Sequence, residues 1–281
     1  MTIINALAYG TVNIVSTEKK GVAFTVNLPV KVTATLKEKK KIEGKIPPEL
    51  KKLAKKTLKF FSHPEYGIKI SVENKIPSGL GSKEASSLAI IFAVSGALAK
   101  AHGSINELKI DKYWQEQFLM MERTVIDKRS LLQLCPKKLN FAKLAASFYG
   151  GFAITEKREV LRRGEMEGFY LTLKKLKNKS EEEKLLQSEL NHCWQEALKG
   201  KLYQAMKLNS LIHAPEETKK MLEKGALTTS FSPPYLLGLF RDKKGKFTTI
   251  NQGVKILQKP KRIYRVNDFL KLEKANCFGL F

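Results

Sequence analysis

Cysteine is scarce and poorly placed for chemistry: Cys135, Cys193 and Cys277 are the only three in 281 residues. An odd number, far apart and with no pair at metal-ligand spacing, argues against a disulfide framework or a zinc ribbon. It fits the reduced thiols of a cytoplasmic protein. Histidine is equally thin. His63, His102, His192 and His213 form no spaced pair, so each reads as a surface or satisfied ring. His192-Cys193-Trp194 falls in a helical stretch, where consecutive side chains diverge, which argues against a catalytic dyad. Long apolar runs are missing too: Leu88–Ala99 is about half of the roughly 20 residues that span a bilayer. The start, Met1 to Tyr9, lacks the basic opening and longer apolar run of a secretion signal. No membrane role is expected.

Acidic residues are outnumbered, 27 against 51 basic ones, for a net charge of +24. Such a balance invites a nucleic-acid reading. Yet no arginine precedes Arg123, and arginine is the residue that makes bidentate contacts to bases and phosphates. The lysines are dispersed, with short runs at Lys37–Lys41 and Lys51–Lys59. A solvated lysine surface is preferred over a nucleic-acid groove, and its field favours anionic small molecules.

What is present is an ordinary globular pattern, 43% apolar, with no repeat and no low-complexity tract. Strands are expected at Ile3–Ala8, Val12–Ser16, Val22–Leu28, Lys31–Leu36 and Ile68–Glu73, where β-branched residues concentrate. Lys37–Gly44 reads as a charged turn. Pro48 opens a helix to about Phe61, with Leu50, Leu53, Ala54, Leu58 and Phe61 on one stripe. Further helices are expected at Ala85–Lys100, Asp111–Arg123, Leu139–Ser147, Glu182–Lys199 and Leu202–His213. Phe152–Thr155, Gly168–Leu176, Tyr235–Phe240 and shorter segments beyond read as strands. Trp114 and Trp194 fit helix cores. The mixture is α+β in two lobes, residues 1–155 and 156–281.

The segment Asn74 to Ala89 is the most informative. It sets a glycine turn, Gly79-Leu80-Gly81-Ser82, between a strand and an apolar helix. Such a turn exposes backbone N–H groups beside the positive end of a helix dipole, a seat for phosphate. Taken alone, the motif is more often an ordinary tight turn.

Three segments in order carry a stronger signal: Ala6–Val15 with Gly21–Leu28, then Ile76–Ala89, then Ala146–Thr155. Together they resemble the GHMP superfamily of small-molecule kinases, and most closely its archaeal-type shikimate kinases. The likeness runs on through Ala197–Leu211 to Tyr235–Phe240. It implies a two-lobed GHMP-kinase fold, with an N-terminal lobe resembling the ribosomal protein S5 domain 2-like fold and a C-terminal α/β sandwich. It implies ATP and Mg²⁺, and transfer of the γ-phosphoryl group to a hydroxyl of a small molecule, shikimate or another hydroxylated acid. By the same resemblance Ser78, Gly79, Leu80, Gly81, Ser82, Lys83, Ala85, Ser86 and Ser87 cradle the nucleotide. Thr11, Asn13, Gly21 and Phe24 lie near the acceptor.

The chain departs from the family pattern in several places. The loop after Pro77 is two residues short, and Lys83 and Glu84 replace a hydroxyl and a small residue. Lys83 either neutralises phosphate directly or pairs with Glu84 on a solvated helix start. An acidic pair expected to polarise the acceptor hydroxyl is Ala142 and Lys143, which leaves Glu122 and Asp127 as substitutes. The glycine-rich loop expected before Tyr235 is Thr228 to Pro234. Two further readings therefore stand beside the kinase: a degenerate homologue that binds a ligand or partner without turnover, and a basic nucleic-acid or ribosome-associated protein.

Overall fold

The computed structural model describes residues 2–109, 115–121, 124–126, 128–176, 187–242, 245 and 247–268. Two long strands set its frame, β1 (Ile3–Ser16) and β2 (Lys20–Lys37). Each joins two segments that the sequence suggested as separate strands. They pair antiparallel from Ile3↔Thr35 to Ser16↔Gly21, with irregularities near Tyr9–Thr11 and Asn13–Val15. Those bulges bend the pair, so β2 serves two partners. Its far half meets β4 (Gly67–Asn74), which β3 (Ile42–Glu43) flanks.

The sheet is backed by α1 (Pro48–Phe60) and α2 (Ser82–His102). α1 starts at Pro48, whose missing N–H is no loss at that position, and buries Leu53, Ala54, Thr57 and Leu58. α2 is buried on every side from Ala85 to Ala99, because β1, β2, α1 and later elements enclose it. Burial of each large side chain there, such as Leu88, Ile90 and Leu98, contributes about 1.5–3 kcal/mol. This helix has the length and hydropathy of a membrane span, but 83% of its apolar window is buried inside the protein. It is the core helix of this fold.

After α2, the described part of the expected helix Asp111–Arg123, residues 115–121, is a strand. β5 (Gly103–Lys109) and β6 (Gln115–Met121) pair antiparallel, and β7 (Thr124–Ile126) extends them. Long-range pairing overrides the helical propensity of Gln, Leu and Met there. Gln117 shows how: its side chain donates to the Ile256 carbonyl at 2.8 Å and accepts from the Ile256 N–H at 2.8 Å, as a strand neighbour would. Trp114 lies outside the described residues.

α3 (Lys128–Gln133) and α4 (Phe141–Tyr149) follow, then the hairpin β8 (Phe152–Glu156) and β9 (Glu159–Gly164). β8 pairs with Lys20–Phe24 of β2. A second sheet is built from β10 (Tyr170–Lys175), β11 (Thr228–Ser232), β12 (Tyr235–Phe240) and β13 (Phe247–Thr248), in the order β11-β12-β10-β13. Helices α5 (Gln187–Leu198), α6 (Leu202–His213) and α7 (Pro215–Glu223) lie between β10 and β11 in sequence. α7 went unanticipated although Pro215, Glu216 and Glu217 form an ordinary helix start. The chain then returns to the first sheet, where β14 (Lys255–Ile256) pairs with β1, and β15 (Ile263–Arg265) joins β5 in parallel in a third sheet ordered β15-β5-β6-β7.

Candidate active site

The end of β1, the start of α2, the start of α4 and β11 converge at one place. The glycine turn lies at its centre. Gly79 and Gly81 both have left-handed backbones, φ +92° and +75°. A Cβ on Gly79 would come within 2.2 Å of the Pro233 carbonyl oxygen, and one on Gly81 within 2.2 Å of Thr11 Oγ1. Glycine is required at both on conformational and steric grounds.

Long-range bonds hold the turn. The Thr11 N–H donates to the Leu80 carbonyl at 2.9 Å. The Gly79 carbonyl accepts from Ser232 Oγ at 3.2 Å and from Lys143 Nζ at 2.6 Å. Asn74 Nδ2 donates to Ser82 Oγ at 2.8 Å and Ser86 Oγ at 2.9 Å, while its Oδ1 accepts from the Ile76 N–H at 2.8 Å. Gly81 caps α2 without a side-chain hydrogen bond, so the first-turn N–H groups of Ser82, Lys83 and Glu84 have no capping acceptor from it. Of the nine residues expected to cradle phosphate, Ser78 and Lys83 are exposed, and Gly79 and Ser82 are half-buried. Leu80, Gly81, Ala85, Ser86 and Ser87 are buried.

Lys143 is the unexpected member. It lies on α4, is 7% exposed, and reaches under the glycine turn. Burial pushes its ammonium below the ordinary lysine range, and the neighbouring Glu84 carboxylate opposes that shift. Glu84 turns toward α4, where its Oε1 accepts from the Asn140 N–H at 3.3 Å. Asn140 caps α4 by accepting from the Lys143 N–H at 3.0 Å, and its Nδ2 donates to Ser16 Oγ at 2.8 Å. Ala142 is a buried core residue against Gly21. Glu122 and Asp127 lie outside the described residues.

Beside the turn opens a cleft of about 410 Å³, lined by residues that include Asn13, Ser16, Thr17, Glu18, Asn209 and His213. Leu190, Phe231 and Pro233 give it apolar lining. Asn13 is pinned through its backbone: its N–H donates to Ser232 Oγ at 3.3 Å and its carbonyl accepts from Ser230 Oγ at 2.8 Å. Its Oδ1 is buried without a hydrogen-bond partner, as is Thr11 Oγ1 nearby. Buried acceptors left unpaired are costly, and they mark a place where a donor is expected to arrive. Asn209 Nδ2 donates to the Phe231 carbonyl at 3.1 Å, and the His213 ring stacks on Phe231 with centroids 4.4 Å apart. Both pack against Phe231 and line the cleft. Gly21 and Phe24 are fully enclosed in the β1–β2 sheet, and Phe24 belongs to the hydrophobic core.

Sequence reasoning passed over Asn74, Asn140, Ser16, Ser230 and Ser232. The signals were modest: Asn74 ends a strand just before the glycine turn, and Asn140 stands at an N-cap position.

Comparison with known proteins extends this geometry. No protein-family model matches the chain. The solved homoserine kinase of Cytophaga hutchinsonii superposes with a TM-score of 0.65 at 18% identity, over 92% of this chain and 98% of that one. The mevalonate-3-kinase of Thermoplasma acidophilum, solved with mevalonate 3-phosphate and ADP bound, gives 0.56 at 10% identity, over 92% and 99%. This chain has the GHMP-kinase fold. In sequence, this GHMP-fold chain is 27% identical over 254 residues to a shikimate kinase of Thermoplasma acidophilum, covering 84% of this chain and 86% of that protein.

The groups that the resemblance implies can be tested against the residues present. A polyphosphate fits: the start of α2 has no side-chain cap, and Lys83 and Ser78 lie exposed at its edge. A magnesium ion does not fit the described residues. The hydroxyl that the resemblance sets at position 83 is a lysine, and the buried Lys143 ammonium lies against the glycine turn. No group of three His, Cys, Asp or Glu side chains that could hold a metal ion is found among the described residues.

Proposed function

We propose that this protein is an ATP-dependent small-molecule kinase with shikimate as its acceptor. The observation that carries the reading is the junction of glycine turn and cleft. Ser232 Oγ accepts from the Asn13 N–H and donates to the Gly79 carbonyl, so the phosphate seat and the acceptor cleft share one bridging side chain. When bound, ATP supplies the γ-phosphoryl group. The chain's own part is positioning and charge neutralisation, the main demand of phosphoryl transfer. The N–H groups of Ser82, Lys83 and Glu84, with the Lys83 ammonium, hold the polyphosphate. Asn13 Oδ1 accepts a hydrogen bond from an acceptor hydroxyl, and Phe231 with Leu190 keeps water from one side of it. Residues 1–155 and 156–281 form the two lobes of this reading, with β9 and β14 of the second completing the sheet of the first. The two described cysteines are buried free thiols whose pKa values burial pushes up to about 12 (Cys135) and about 11 (Cys193), which leaves them poor nucleophiles with no part in the transfer.

Shikimate is preferred as acceptor on the likeness to the Thermoplasma enzyme, 27% identical over 84% of this chain. The test is ADP release by the full chain with ATP and each of shikimate, homoserine and mevalonate. Release with shikimate alone is the expected outcome. Release with another acceptor alone would reassign the substrate, and release with none would remove the kinase reading.

A second reading, a ligand-binding homologue without turnover, is favoured by one observation. Lys143 stands where the carboxylate that polarises the acceptor hydroxyl is expected. ATP that raises the thermal midpoint while no acceptor yields ADP would select it.

A further inference from the structure

The Lys143 ammonium occupies the point at which a GHMP-type site is expected to gather negative charge. It is buried, bonded to the Gly79 carbonyl at 2.6 Å, and fixed on α4 by the same Asn140 that caps the helix. Its charge partner is Glu84, on the first turn of α2, whose carboxylate is also held by the Asn140 N–H. Ser82 Oγ, the hydroxyl at the helix start, accepts from Asn74. A divalent cation entering here would find an ammonium beside it and, among the described residues, no group of three His, Cys, Asp or Glu side chains to hold it, so like-charge repulsion and the missing carboxylate donors both oppose it. A polyanion meets the opposite situation. Lys143 lies beneath the turn, Lys83 is exposed at its edge, and the open N–H groups of α2 supply further positive potential.

We propose that the glycine-turn site of this chain binds its polyphosphate ligand without a divalent cation, with the Lys143 ammonium as its resident positive charge. This rests on the nucleotide seat assigned above and departs from the Mg²⁺ dependence that the family resemblance implies. Lys143 here is a binding and positioning residue, and the consequence is read in affinity.

The experiment is calorimetric titration of the full chain with ATP, once with excess EDTA and once with Mg²⁺. Moderate salt, about 0.2 M, screens the surface lysines. Equal Kd values within about threefold are expected. A Kd more than about tenfold tighter with Mg²⁺, a 1.4 kcal/mol difference, overturns the proposal while leaving the nucleotide seat standing. Absence of binding in both buffers overturns the seat and the proposal together. The paired variant Lys143→Met with Glu84→Gln removes both charges and leaves neither one buried alone. Its Kd in EDTA is expected to weaken by about tenfold or more. An unchanged Kd in a variant that still melts cooperatively would assign the ATP to surface lysines and overturn the proposal. Should that variant fail to fold, the wild-type comparison with and without Mg²⁺ decides on its own.

Discussion

The glycine turn and the cleft beside it share residues of β1 and β11, yet they spend their polar groups in opposite ways. At the turn, the Gly79 carbonyl has two donors, Ser82 and Ser86 are bonded by Asn74, and Glu84 faces Lys143 and Asn140. In the cleft, Asn13 is bonded through its backbone while its side-chain oxygen is buried and unpaired. A group tied to the protein contributes to folding, whereas a group kept back is available to a ligand. The turn is therefore chiefly a structural joint that still offers the N–H groups of a helix start. The cleft is where recognition is concentrated.

That contrast can be broken by substitution. The largest effect is expected at the joint: Gly81→Val forces a β-branched residue into a left-handed backbone, with its Cβ against Thr11. A loss of about 3 kcal/mol is expected in urea denaturation. A loss below about 1 kcal/mol would show that the turn adapts and is no joint. Next comes Asn74→Ala, which removes three hydrogen bonds made by one side chain. It should cost about 1–2 kcal/mol of stability, by the same assay, because Ser82 and Ser86 lose their shared donor. The smallest stability effect belongs to the cleft. Asn13→Ala should change stability by less than about 1 kcal/mol, since Oδ1 has no partner to lose. The same variant should raise the KM for the acceptor about tenfold, measured by ADP release, with kcat little changed. If Asn13→Ala destabilises more than Asn74→Ala, the division between joint and recognition surface fails.

Much of the frame was legible in the residues. The β-branched runs marked β1, β2 and β4, the apolar stretch marked α2, and Pro48 marked the start of α1. These signals are local: side-chain periodicity and backbone preference act within a few residues. The strand Gln115–Met121 was read as helix because its pairing with β5 and the grip of Gln117 on Ile256 are long-range. Within the site, the glycine turn was visible, and Asn13 and Thr11 were reached through resemblance to a family. Which hydroxyls were already bonded, and that Phe24 was core, followed from packing that no local pattern encodes.

By itself, then, the sequence determined a glycine turn with the backbone freedom to enter a helix, a helix apolar enough to be the core, and a strongly positive field. Each follows from properties carried by neighbouring residues or by the composition as a whole. Only the tertiary structure decided that Lys143 lies under Gly79, 64 residues earlier, and that Ser232 joins Asn13 to the same carbonyl from 153 residues beyond. Those placements arise because the bent β1–β2 pair, α4 and β11 pack around one buried helix. Closing such distant contacts costs chain entropy that only the whole core can offset.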